Sequence, residues 1–245
     1  MNENMKKIVI IGGSGTIGKI LVKHLQSKYK LYVADQELGK NQINFIKIDA
    51  TNQKDLHTKI PKDTDILVNL LATDNHRSLD DIEAFDRMTN IYLRSSYLLY
   101  DLAVSLNIPK VIVASSNHVT DEYEKDGHSL LGREITVNDY PYSRGLYGVL
   151  KLATENLGRI YSKEKGLSVL LLRIGSVPSP EKKESGQERW KHTLLTEKDT
   201  AQLFEKAFEV NKPFGIYYGV SNHSSKPWSI KNAEEDLGFK SELNP

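Results

Sequence analysis

Tyr147 and Lys151 stand four residues apart in the run Tyr147-Gly-Val-Leu-Lys151. On a helix that spacing places a phenol and an ammonium on one face. A free tyrosine, with a pKa near ~10, is a poor base at neutral pH. A lysine cation beside it favours the phenolate, which can remove a hydroxyl proton while hydride leaves the same carbon. Alone, such a pair is common. Tyr140 and Tyr142 lie close by, and neither has a lysine four residues later. Ser115-Ser-Asn-His118 offers a hydroxyl that could polarise the reacting oxygen and complete a Ser-Tyr-Lys set; the same residues also make an ordinary polar turn. His118 by itself reads as structural.

A second kind of chemistry is written in Gly12-Gly-Ser-Gly-Thr-Ile-Gly18, where both Gly12, Gly15, Gly18 and Gly13, Gly15, Gly18 fit a phosphate-binding spacing. Glycines let the backbone turn tightly and approach a pyrophosphate, and the helix that follows supplies unpaired N–H groups and a positive partial charge. Asp35 lies 17 positions after Gly18, directly after the apolar run Leu31–Ala34. A carboxylate there can accept from the adenosine ribose hydroxyls and would repel a 2′-phosphate. No arginine adjoins it, so NAD is favoured over NADP. Asp49 could reach an adenine amino group or cap the helix that begins near Asn52.

The elements that must position these groups alternate. Lys7–Ile11, Leu31–Ala34, Ile43–Ile48, Asp65–Leu71, Lys110–Ala114 and Leu167–Arg173 read as strands. Helical spacing follows the glycines, then runs over Leu79–Leu106 and Leu146–Lys165, with Asn107, Pro109 and Gly166 as stops. That alternation predicts an α/β fold, a Rossmann-type doubly wound parallel sheet with ligands at the carboxyl ends of its strands. Residues 1–245 are read as one NAD(P)-binding domain, with a small substrate-binding cap formed mainly by about 175–245. Lys198–Val210 is the helix candidate there and Phe214–Tyr218 the strand candidate.

Composition removes other classes. The 245 residues carry 33 Lys+Arg against 32 Asp+Glu, a formal net charge of +1, so no broad field favours nucleic acid or an anionic membrane. Cysteine is absent, which excludes disulfides, Cys-ligated metals and thiol nucleophiles. Ile8–Ile11 is far below the ~20 apolar residues of a membrane span. A soluble cytoplasmic protein is the default, and the proton and hydride both have acceptors without a metal.

Together these residues resemble the short-chain dehydrogenase/reductase superfamily, in its extended branch, the NAD-dependent epimerase/dehydratase family. The likeness covers Lys7 to Arg173. Ala114-Ser-Ser-Asn-His118, Gly145-Leu-Tyr-Gly148, Leu172-Arg-Ile-Gly-Ser176, Arg189-Trp190 and the tail Gly219…Trp228…Leu237-Gly-Phe239 are similar to the NAD-dependent uronate dehydrogenases. Those enzymes oxidise the anomeric carbon of glucuronate or galacturonate to an aldarolactone. The resemblance implies Tyr147 as base, Lys151 as its electrostatic partner and a ribose ligand, and Ser116 as the serine that orients the hydroxyl. It puts Gly12, Gly15, Thr16, Ile17, Gly18, Asp35, Asp49, Ala50, Leu71, Ala72, Asn90, Tyr147 and Lys151 on the cofactor. Ser78, Ser116, Asn117, His118, Tyr147, Ser176 and Arg189 fall around the substrate. A guanidinium suits a sugar carboxylate; read alone, Arg189 is a solvated surface arginine beside Glu188.

This chain departs from the pattern at Asn69-Leu-Leu-Ala72, in the polar segment Thr73–Asp81, and in the longer loop Asp121–Tyr142. Two alternatives share the residues: an epimerase or dehydratase of a nucleotide-linked sugar, and a non-catalytic NAD sensor. Only 94 residues follow Lys151, which speaks against a bulky activated sugar. The superfamily also implies a homo-oligomer, a dimer through the two long helices with Leu93, Tyr97, Tyr100 and Leu150 as interface candidates.

Overall fold

The computed structural model describes residues 5–39, 44–75, 79–178 and 188–243. Seven parallel strands form the sheet: β1 (Lys7–Ile11), β2 (Lys30–Asp35), β3 (Phe45–Lys47), β4 (Ile66–Asn69), β5 (Lys110–Ser116), β8 (Ser168–Ile174) and β9 (Phe214–Gly219). Their order is β3-β2-β1-β4-β5-β8-β9, so the winding reverses between β1 and β4. At that reversal the connections leave in opposite directions and a crevice opens at the carboxyl ends. The two short strands β6 (Glu124–Lys125) and β7 (His128–Ser129) form a separate hairpin.

Strand side chains alternate between faces, and both faces are covered. Ile8 and Ile10 join the layer made with α1 (Thr16–Leu25), α7 (Glu197–Glu209) and α8 (Lys231–Leu237). Val9 and Ile11 join the layer made with α2 (Gln53–Lys59), α4 (Ser95–Ser105) and α5 (Leu146–Lys165). These four apolar β1 side chains are fully buried, each contributing roughly 1.5–3 kcal/mol of apolar burial.

The long helix expected over Leu79–Leu106 is α3 (Ile82–Met88), a π-helical turn over Thr89–Arg94, and α4. Periodicity does not reveal such a widened turn, and π-turns recur at functional sites. The Asp81 carboxylate caps α3 by accepting from the Ala84 amide at 2.9 Å. Gly166, at φ +69°, ends α5. Lys110 gathers the end of α7, donating to the carbonyls of Ala207, Phe208 and Val210.

The segment from 175 onward contributes to the sheet as well as to its carboxyl end. β9 extends the main sheet, and α7 and α8 bury Leu203, Phe204, Phe208 and Leu237 in its core. What lies at the carboxyl ends is α6 (Glu188–Thr193) with its flanks, tied to the end of β8 by a bridge between Ser176 and Leu194. Two interface candidates are corrected. Tyr100 is fully buried and Leu150 nearly so, because both fill this subunit's own layers. Tyr97 remains about half exposed. Among the described residues no helix is long and apolar enough to cross a membrane, and no cluster of His, Asp and Glu could hold a metal ion.

Candidate active site

The glycine turn sits at the crevice. Gly12 has φ +74°, and a Cβ there would lie 3.0 Å from the Leu70 and Leu71 backbone, so β1 and β4 approach as closely as a hydrogen allows. At Gly18 a Cβ would lie 2.1 Å from the Gly13 carbonyl oxygen; that glycine lets α1 seat on the turn. Gly15 differs. It is the N-cap of α1, a Cβ there would touch only Gly12 O at 3.6 Å, and no side chain caps the helix. Thr16 and Ile17 open that first turn, which holds no acidic residue and whose amides have no partner within the helix.

Asp35 is held at the end of β2, Oδ2 accepting from the Ser14 amide at 3.0 Å and Oδ1 from the Gln36 amide at 2.8 Å. Asp49 does not cap α2; Asn52 does, accepting from Asp55 N. Asp49 Oδ1 accepts from the Thr51 hydroxyl at 2.7 Å and amide at 2.9 Å, and the hydroxyl above all holds this carboxyl below its ordinary range. Ala50 is buried beside it. Leu71 and Ala72 follow β4, and the Leu71 amide donates to Asn69 Oδ1 at 3.1 Å. Asn90 lies exposed in the π-turn, its carbonyl accepting from Ser95 Oγ at 2.9 Å.

Across the crevice, β5 ends at Ser116. Its Oγ accepts from the His118 amide at 3.2 Å and starts the 3-10 helix Asn117–Tyr123, so Ser116 is both turn former and hydroxyl bearer. The Tyr147 phenol, from the first turn of α5, lies near enough to the Ser116 hydroxyl for that group to act on its ionisation. Lys151, one turn on, donates to Ala114 O at 2.7 Å, with its nitrogen 5.8 Å from the Tyr147 ring centre. It lies closer to a residue the sequence did not single out: Tyr92 of the π-turn, whose ring centre is 4.6 Å away. The Tyr92 hydroxyl also binds Thr73 and Asn75, pinning the polar segment after β4.

Burial pushes the Tyr147 phenol above its ordinary pKa, opposed by the neighbouring Ser116 hydroxyl. Burial lowers Lys151 to about 8, partly offset by Glu155.

A family model of the NAD dependent epimerase/dehydratase family matches residues 8–234. The chain belongs to that family. Its similarity to the protein YtbQ of Bacillus subtilis (strain 168), itself uncharacterized, is 47% identity over 98% of this chain and 95% of that protein. An NAD-dependent glucose-6-phosphate dehydrogenase of Haloferax volcanii is 26% identical, over 97% of this chain and 93% of that one. The crystal structure of uronate dehydrogenase from Agrobacterium tumefaciens superposes with a TM-score of 0.80 at 24% identity, covering 98% of this chain and 85% of that one; it establishes the fold. NAD is this family's cofactor, and the residues here fit it. The turn leaves Gly15 open, the first α1 amides have no partner within the helix, and Asp35 is fixed by backbone amides where ribose hydroxyls would lie.

The family member's substrate side is less simply arranged. His118 Nδ1 meets Asp121 Oδ2 at 2.7 Å, and its ring stands edge-on to Tyr147 at 5.5 Å between centres. Burial would raise Asp121, but the His118 side chain and the Arg144 amide outweigh it and hold the carboxyl low. Asn117 is buried, and its Nδ2 has no acceptor among the described residues. Ser176 is engaged by Thr193, hydroxyl to hydroxyl at 2.7 Å. Arg189 is not the free surface residue the sequence suggests: it is half-buried, with Nε donating to Glu124 Oε2 at 2.9 Å. Ser78 lies outside the described residues. The loop Asp121–Tyr142 is stapled down: Arg133 grips Asp139 with both guanidinium ends, and Ile135 pairs through its backbone with Pro227 and Ser229.

Beneath the site runs a buried network that sequence reading missed. Glu155 takes two hydrogen bonds from Arg173, at 2.8 and 2.9 Å, and one from Ser115 at 2.6 Å. Arg173 donates to Tyr218, which meets Thr120, and Thr120 accepts from the Trp228 indole. Burial opposes Arg173's charge, yet Glu155 holds the guanidinium protonated above its ordinary value. The network ties the end of β5, helix α5, the 3-10 turn and the C-terminal segment into one support.

Proposed function

We propose that the chain oxidises a free cyclic sugar, an aldose or the corresponding uronate, at its anomeric carbon to the lactone. Tyr147 takes the hydroxyl proton, Ser116 holds the oxygen, and the anomeric hydrogen leaves with its electron pair as the carbonyl forms. Lys151 stabilises the phenolate and binds ribose. NAD, when bound, would supply the hydride acceptor. Gly12, Gly15, Thr16, Ile17, Gly18, Asp35, Asp49, Ala50, Leu71, Ala72 and Asn90 line the cofactor in this reading, and Asn117, His118, Ser176 and Arg189 the sugar.

The observation that carries it is the meeting of Ser116, Tyr147 and Lys151 at the end of β5, across the crevice from the glycine turn. The uronate part draws on Arg189 and on the similarity to a uronate dehydrogenase of Agrobacterium fabrum; the aldose part draws on the similarity to an L-arabinose 1-dehydrogenase of Haloferax volcanii. A cytoplasmic location, where NAD is at hand, belongs to the same reading. So does self-association over the outer faces of α4 and α5, where Tyr97, Val149 and Ile160 are exposed.

NADH absorbance on mixing protein, NAD and a panel of aldoses and uronates tests the reaction. NADH forms with at least one sugar, and Tyr147→Phe lowers kcat by ~100–10,000-fold with little change in NAD affinity. Unchanged turnover in that variant contradicts the mechanism. NAD binding without NADH from any sugar moves the assignment to an epimerase or a sensor.

A further inference from the structure

Resting on that reading, we propose that the pocket selects an uncharged sugar over a uronate or sugar phosphate, because Glu124 already neutralises Arg189. Glu124 is 1% exposed. Its Oε2 accepts from Arg189 Nε at 2.9 Å and its Oε1 from the Gly127 amide at 2.5 Å. Its charge is therefore fixed in place and little screened by water.

The second arginine of this region is matched in the same way. Arg144, just before α5, pairs with Glu122 through Nε at 3.3 Å, and its guanidinium also donates to the Glu124 carbonyl. Its amide donates to Asp121 Oδ1 at 2.8 Å. Asp121 is buried and kept ionised by that amide and by His118. Among the described residues here, Arg189 and Arg144 face three carboxylates: Glu124, Glu122 and Asp121. Among the described residues, an anionic sugar beside Arg189 and Arg144 would find both guanidiniums already matched, with the buried carboxylates Glu124 and Asp121 close by.

Repulsion between like charges in a poorly solvated site is what discriminates, since a hydroxyl at the same position suffers none of it. The guanidinium still keeps hydrogen-bonding capacity, because Glu124 takes only Nε and Nη2 has no acceptor among the described residues. Donors without net positive charge suit sugar hydroxyls.

The test compares kcat/KM, read as NADH formation, for glucose, galactose and arabinose against glucuronate, galacturonate and glucose 6-phosphate. The wild-type chain favours a neutral aldose over its uronate by roughly tenfold or more. Glu124→Gln keeps an oxygen for the Gly127 amide but removes the charge, and shifts that ratio towards the uronate by roughly tenfold. Thermal unfolding and NAD binding show whether the variant is folded; the wild-type ratio stands as a test without it. A wild-type preference for uronates overturns this inference and leaves anomeric oxidation intact. An unchanged ratio in folded Glu124→Gln overturns it too. No NADH from any sugar overturns the underlying oxidation reading, and this inference with it.

Discussion

The two sides of the crevice are built differently. The cofactor side, β1 through β2, is backbone: a turn that only glycine can make, amides with no partner within their helix, and Asp35 held by the amides of Ser14 and Gln36. The substrate side, past the ends of β5 and β8, is side-chain charge: Glu155 with Arg173, Glu124 with Arg189, His118 with Asp121. Backbone geometry recognises what every family member shares, a dinucleotide. Paired charges can be rewired by single substitutions, which is where one family member can differ from another.

Breaking the buried pair under the site has the largest expected effect. Glu155→Ala leaves Arg173 charged and 2% exposed, and it strips Ser115 of its acceptor. The cost is about 3–5 kcal/mol of stability, read by chemical denaturation. A loss below ~1 kcal/mol removes the network from the account of how β5 and α5 are held together.

The glycines sharpen the other half. Gly18→Ala forces its Cβ against the Gly13 carbonyl and destabilises the fold by about 1–3 kcal/mol. Gly15→Ala has room inside the protein but intrudes on the phosphate side. It weakens NAD by roughly tenfold, ~1.4 kcal/mol, with little change in melting temperature. Equal effects of the two on melting would show that Gly15 serves the fold rather than the cofactor.

A smaller effect reports on Lys151. Its pKa falls from the ordinary 10.5 to about 8 in the folded chain, so between these values the unfolded chain binds the extra proton. Stability contributed at this residue therefore rises as pH climbs from about 8 towards 10.5. Lys110 is lowered to about 8 as well, so the comparison is with Lys151→Met, which keeps Lys110. The gap between the two proteins stays constant below pH 8 and shifts in favour of the wild-type chain above it. A gap independent of pH means Lys151 is solvated.

The same contrast explains what the sequence made legible. The glycine turn, Asp35 and the Tyr147–Lys151 spacing are local patterns, and the alternation of strands and helices is a local pattern repeated, so fold and cofactor could be read directly. Glu124 and Arg189 are 65 residues apart, Thr120 and Trp228 108. No spacing rule joins them, and an arginine beside Glu188 reads as solvated until the fold brings Glu124 beneath it. Tyr92 was hidden for a different reason. It lies in a turn that widens to π geometry inside an otherwise helical pattern, and that widening puts its ring over Lys151. The place of Phe214–Gly219 in the main sheet is not a local pattern, because the chain returns to its parallel partner β8 only after α6 and α7.

The most direct test of the central claim follows the hydrogen itself. Protein and NAD are incubated with an aldose the chain turns over, carrying deuterium at the anomeric carbon, and the products are read by mass spectrometry and NMR. The account predicts deuterium in the reduced nicotinamide, the free lactone or its hydrolysed acid in solution, and neither with Tyr147→Phe. Deuterium retained in a sugar isomer, with no reduced cofactor accumulating, would contradict net oxidation at that carbon.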